Sequence, residues 1–167
     1  MHEGNFEVTM STDRVTLFQE TLHRSHAWID ELMDRLGVTD EQQAVHVLCA
    51  TLQSLRDRLT IDDAVRLGAQ LPVLLRGLYY DGWRPAATNR IRQRDEFLAE
   101  VTARYHARPL ADLETGVRAA ITVLNRNLSI GEALAVVHAL PLELRELWPD
   151  HVVRAARLEE HGAASRA

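Results

Sequence analysis

The run LTIDDAVRLGAQLPVLLRGLYYD, from Leu59 to Asp81, returns as LSIGEALAVVHALPLELRELWPD, from Leu128 to Asp150. The offset is 69 residues, it holds without a gap, and nine of the 23 positions are identical. The same offset brings Trp28 onto Phe97, Leu32 onto Val101, Arg35 onto Arg104 and Leu55 onto Leu124. A chain that repeats a unit of this length is expected to form the same arrangement twice, each copy able to cover the other.

The unit reads as four helices. The first runs from about Asp13 to Leu36, with Phe18, Leu22, Ile29, Leu32 and Leu36 on one apolar stripe. Its counterpart covers about Asn89 to His106 and carries Ile91, Phe97, Val101 and Tyr105. The second helix starts at Asp40, an N-cap with Gln43 three residues on, and buries Ala44, Leu48, Leu52 and Leu55. Leu113, Val117, Ile121 and Leu124 do the same in the other copy. The third helix opens in both copies on a capping box, Thr60 to Asp63 and Ser129 to Glu132. Pro72 and Pro141 end it, because proline pushes the preceding leucine out of the helical region. The same proline starts the fourth helix, so each Leu-Pro pair is a corner. The fourth helix carries Leu71, Leu75, Leu78 and Tyr79 on its buried stripe, matched by Leu140, Leu144, Leu147 and Trp148.

The expectation is an all-α protein of two tandem copies of a four-helix unit plus a short C-terminal helix. Residues 1–10 read as a tail, 11–83 as the first unit, and 84–89 as a linker. Residues 90–160 form the second unit with the C-terminal helix, and 161–167 a second tail. Composition agrees, with 46% hydrophobic and 26% charged residues, few prolines and glycines, and no lysine among the basic side chains. The segments AWIDELMDRLG, SLRDRL, AQLPVLLRGLYYDGW and GEALAVVHALPLELRELW resemble the bacterial domain-of-unknown-function family numbered 2267. That resemblance implies an all-helical cytosolic protein and supplies no catalytic residues.

The net charge of −5 opposes a dedicated nucleic-acid binder. MHEGNFEVTM has no basic segment followed by an apolar one, and no apolar run approaches the ~20 residues that span a bilayer. A cytoplasmic location without membrane attachment is therefore expected. Chemistry-bearing clusters are sparse. Glu20, His23, His26 and Asp30 fall near one helical face, but a di-iron bundle needs two Glu-x-x-His motifs and only Glu20–His23 is present. His138 sits in an apolar run, and Cys49 has His46 nearby without an orienting carboxylate. No catalytic residue, metal site or cofactor is assigned.

Two weak sites remain. The run RPAATNRIRQR holds Arg84, Arg90, Arg92 and Arg94 with no acid before Asp95, and these four are the candidate anion contact. Leu74 and Gly77 stand where the second copy has Glu143 and Glu146, and with Tyr80 and Trp83 they form the candidate interaction face. Cover from within the chain, by the second copy or by the linker after Gly82, is favoured for that face. The recurrence of Arg76 with Asp81, and of Arg145 with Asp150, suggests an arginine–aspartate clamp at each fourth helix. Together these features favour a non-enzymatic interaction or scaffold protein with an unknown protein partner or self-association. A nucleic-acid or small-ligand binder using the arginine run or a cleft between the copies is the alternative.

Overall fold

The computed structural model describes residues 4–85 and 93–164, with the side chains of the first helix from Thr16 onward. Among these the chain is helical throughout, and no strand forms. Four helices precede the break: α1 (Gly4–Leu36), α2 (Glu41–Arg56), α3 (Ile61–Gln70) and α4 (Val73–Tyr80). Five follow: α5 (Arg94–Arg104), α6 (Leu113–Arg126), α7 (Ile130–Ala139), α8 (Leu142–Arg145) and α9 (Asp150–Ala164). Helix α1 starts at Gly4 and not at Asp13, so the segment expected as an N-terminal tail is helical from that point. Likewise α9 runs to Ala164, into the expected C-terminal tail. Most of the expected linker, residues 86–89, lies outside the described residues, as does Ile91.

Local chemistry fixes the helix ends. Thr60 Oγ1 accepts from the Asp63 amide at 3.2 Å, and Ser129 Oγ accepts from the Glu132 amide at 3.2 Å. Each bond satisfies an N–H that has no partner inside the helix. Asp40 caps α2 through the Gln42 amide, but Gln43 does not close a box with it. Its side-chain amide reaches across to the Arg108 carbonyl at 3.0 Å and ties α2 to the second half of the chain. Gly82 follows α4 at φ 62°, the left-handed conformation that glycine adopts without Cβ strain.

The two halves share one core. Helix α2 packs on α1 and α4 of its own half and on α5 and α6 of the other, while α1 reaches α6 and α3 reaches α7. Exchanging the halves turns the α1–α6 contact into α5–α2 and leaves α2–α6 and α3–α7 unchanged. This is the pattern of an isologous, two-fold contact. One cluster of buried side chains runs from Trp28 and Leu32 through Leu48 and Leu52 to Phe97, Ile121 and Trp148.

Three expectations about packing are corrected. Phe18 and Leu22 are 70% and 46% exposed, because α1 continues N-terminally past the helices that cover Ile29 and Leu32. Leu78 is 42% exposed although its counterpart Leu147 is buried. The arginine–aspartate clamps do not form. Arg76 Nε donates to the Gly68 carbonyl at 2.8 Å, and its Nη2 to Ala69 and Leu71 at 2.9 and 3.1 Å. Arg145 does the same to Leu140 and His138, at 3.0 and 3.1 Å. The carbonyls at the end of a helix lack internal partners and carry negative partial charge, so a guanidinium there serves as the cap.

Buried charge also joins the halves. The Arg58 side chain is 1% exposed and pairs with Glu100 on α5, its guanidinium over the Phe97 ring. Arg104 bridges Glu100 at 2.8 Å and Asp57 at 2.6 Å, and Asp57 accepts from Arg56 at 2.8 Å. The i,i+4 pair Glu100–Arg104 has its counterpart in Glu31–Arg35, which receives Arg126 of the other half at 3.0 Å.

Glu100→Gln is expected to lower the unfolding free energy by on the order of 3 kcal/mol, because it leaves the Arg58 charge stranded in the interior. Adding Arg58→Met removes that charge and is expected to restore most of the loss; urea melts of the three proteins check the order. Tyr79 is fully buried and its hydroxyl donates to the Ala64 carbonyl at 2.9 Å. Tyr79→Phe is therefore expected to cost about 1 kcal/mol in the same assay.

Candidate functional site

The Leu-Pro corner of the first half sits beside the projecting part of α1, and a groove of about 760 Å³ lies between them. That volume is in the range of ligand-sized clefts. Leu17, Glu20 and Arg24 line it from α1, at the three- and four-residue spacing that shares a helix face. Gln70, Val73 and Arg76 line it from the corner, and Asn127 of the second half also borders it. Trp28, 6% exposed, reaches the floor of the groove from the core.

Extended backbone at Leu71 and Pro72, with ψ of 145° at both, turns the chain between α3 and α4. The Arg76 bonds to three carbonyls hold that turn. The same guanidinium faces the groove, where its bonds among the described residues go to carbonyls only. Outside the groove α1 carries Phe18 and Leu22, exposed and in line with the buried Ile29. Val73 is 61% exposed beside it. Exposed apolar side chains on two adjacent helices, next to a guanidinium, can receive an amphipathic partner.

The candidate interaction face behaves differently from its expectation. Leu74 is 44% exposed, and a Cβ at Gly77 would meet no atom within 4 Å. Among the described residues no seam with the second copy covers this face, and most of the linker, the other expected cover, lies outside them. Tyr80 and Trp83 instead fold back on their own half. A Cβ on Gly68 would clash with the Tyr80 hydroxyl, so glycine is required for the ring to lie on α3. Trp83 stacks on Tyr80 with ring centroids 5.4 Å apart, and the Arg56 guanidinium lies 5.6 Å from the Trp83 ring. Arg56 itself is 2% exposed and donates to the Tyr79 carbonyl. Tyr80 and Trp83 therefore cover a buried cation and part of α3.

Of the candidate anion contacts, Arg90 and Arg92 lie outside the described residues. Arg84 is exposed. Arg94 is engaged by Glu114 at 2.5 Å, and a depression beside it is lined by Asp95, Glu143 and Glu146. Arg94 and then Arg118 hold the Glu114 carboxyl below the usual range. A phosphate placed there would meet several carboxylates, so the basic run does not assemble into an anion site at Arg94. Glu20 and His23 line the groove, whereas His26 faces Glu41 at 4.0 Å. Among the described residues no group of three His, Cys, Asp or Glu side chains is placed to hold a metal ion. His138 touches α9 at the Ala156 carbonyl, 3.3 Å away.

Sequence reasoning missed the groove. Its signal was present in the recurrence of Arg76 and Arg145, but those arginines were matched to the wrong acceptors. It also missed the buried Arg56–Asp57–Arg58 set, visible as the SLRDRL run and read only as a mark of resemblance.

No curated protein matches the chain. A family model described as "Uncharacterized conserved protein (DUF2267)" matches residues 25–147. The match takes in α2 to α8 and the buried part of α1, and it leaves α9 and the projecting part of α1 outside. On that match, which covers most of its length, the chain belongs to the DUF2267 family of uncharacterized conserved proteins.

Proposed function

We propose that the protein is a non-enzymatic helical interaction module of the bacterial cytosol, which holds a protein partner in the groove between α1 and the first Leu-Pro corner. The observation that carries this reading is the projecting half of α1. Leu17 and Phe18, 62% and 70% exposed, extend the helix beyond the core that covers its other end. Exposed apolar side chains on a helix beside an open groove are suited to intermolecular contact. No helix of the described residues is long and apolar enough to cross a membrane.

Cys49 supports a non-enzymatic role. Burial pushes its thiol up to about 11, so it is protonated at neutral pH and a poor nucleophile. The carboxylates around Arg94 and the overall charge of −5 weigh against the nucleic-acid alternative.

Leu17→Glu/Phe18→Glu is expected to leave the melting temperature within a few degrees of wild type, since both side chains already face water. Parallel affinity capture from the host with wild type and variant is expected to recover a stoichiometric protein with the first and lose it with the second. Equal recovery from both would contradict this reading, and salt-sensitive nucleic acid in both would favour the alternative. Alkylation of Cys49 in the folded protein is expected to stay slow at pH 7–8 and to rise as pH nears about 11. Rapid modification at neutral pH would instead reveal an activated thiolate.

A further inference from the structure

The second half of the chain shows what a corner of this kind accepts. Helix α9 lies along α7, with Val152, Val153 and Ala156 buried and Val153 beside Leu142 and Arg145 of the corner. At its far end Arg145 Nη1 donates to Glu160 at 2.6 Å, and His138 sits 3.9 Å from Glu159. Val153, Ala156 and Glu160 are spaced i, i+3 and i+7, which is one face of a helix. The corner thus receives a helix with a buried apolar face, Val152, Val153 and Ala156, and a carboxylate on its arginine.

The first half offers the same corner without the helix. At the 69-residue offset Arg145 corresponds to Arg76 and His138 to Ala69, and both of these line the groove. Arg76 bonds the carbonyls of Ala69 and Leu71, the counterparts of the His138 and Leu140 carbonyls that Arg145 holds, and that of Gly68 as well, but among the described residues it has no counterpart of Glu160. Val65 is 51% exposed where its counterpart Leu134 packs against the core, and Ala69 is exposed where His138 is partly covered. Arg24 adds a second guanidinium to the groove wall, while Glu20 on the same helix disfavours a continuous row of acids. One carboxylate directed at Arg76 is the complementary charge.

We propose that this groove is the docking site of an amphipathic helix of a partner protein, seated as α9 is seated on the second half, with one carboxylate on Arg76. The proposal rests on the interaction reading above and names the partner's chemistry.

The test uses the full-length chain and a capped synthetic peptide with the sequence of residues 150–164 as a stand-in helix. Titration is followed by amide shifts at Ala69, Gln70 and Val73. The expected result is saturable shifts there, with binding about tenfold weaker when the peptide carries Gln in place of the glutamate at position 160. Ala69→Glu in the protein, at an exposed site, is expected to abolish the shifts without changing the fold. Equal affinity of the Glu and Gln peptides overturns the carboxylate requirement and leaves the interaction reading standing. Shifts confined to His138 and Arg145, from exchange with the chain's own α9, overturn the docking site, as does a silent corner. Dimerisation of the wild type that Ala69→Glu removes assigns the groove to a second copy and also overturns the proposal. The interaction reading falls separately, on the capture experiment with the α1 variant.

Discussion

Helix α2 is buried on nearly every side, and the rest of the molecule is arranged to cover it. Ala44, Val47, Leu48, Leu52 and Leu55 are at most 2% exposed, and Ala50, Thr51 and Ser54 on its other faces are also buried. A helix hydrophobic or small all round belongs at the centre of a core. Its own half supplies α1 and α4, and α5 and α6 of the second half close a further flank. Burying α2 also draws the arginines at its C-terminal end into the interior. Arg56 is then held by Asp57, the Tyr79 carbonyl and two aromatic rings, and Arg58 by Glu100. Charges taken from water persist only when they are paired and hydrogen-bonded. The junction between the halves therefore holds two nearly buried guanidinium groups, Arg56 and Arg58, beside the shared core.

The differences between the halves matter as much as their likeness. Both corners are turned by Leu-Pro and capped by an arginine, but among the described residues only the second is roofed by a C-terminal helix. In the first half Tyr80 lies on Gly68, a position that is Val137 in the second, and Trp83 stacks on Tyr80. The two rings cover part of α3 and leave Val65, Ala69 and the Arg76 corner open. The open groove follows from these side chains together with the backbone: α1 is 33 residues long where α5 is 11, and α9 follows α8 where no helix covers the first corner among the described residues.

How much of this was legible depended on how local the cause was. The capping boxes and the Leu-Pro corners rest on residues within a few positions of one another, and Thr60, Ser129, Pro72 and Pro141 do what their chemistry dictates. The apolar stripe of α1 was legible as a face but not as a burial. Periodicity records which side chains align, and it does not record where the covering helix stops. Arg126, the last residue of α6, meets Glu31, and the side chains at Phe18 and Leu22 remain exposed. The recurrence of Arg76 and Arg145 was visible, but an acceptor on the backbone leaves no mark in a sequence, so aspartates were chosen instead. The groove combines α1, the corner and Asn127, which are far apart in the chain, and no spacing rule brings them together.

The central claim is that two helical units close a single core around α2. Equilibrium unfolding followed in parallel by far-ultraviolet circular dichroism and by tryptophan fluorescence tests it directly, because Trp28 and Trp83 report on the first half and Trp148 on the second. A shared core requires the halves to unfold together, with one transition, coincident midpoints for both probes and no populated intermediate. Two separated transitions, or a fluorescence change that precedes the loss of helix, would mean that the halves are independent units and would contradict the account.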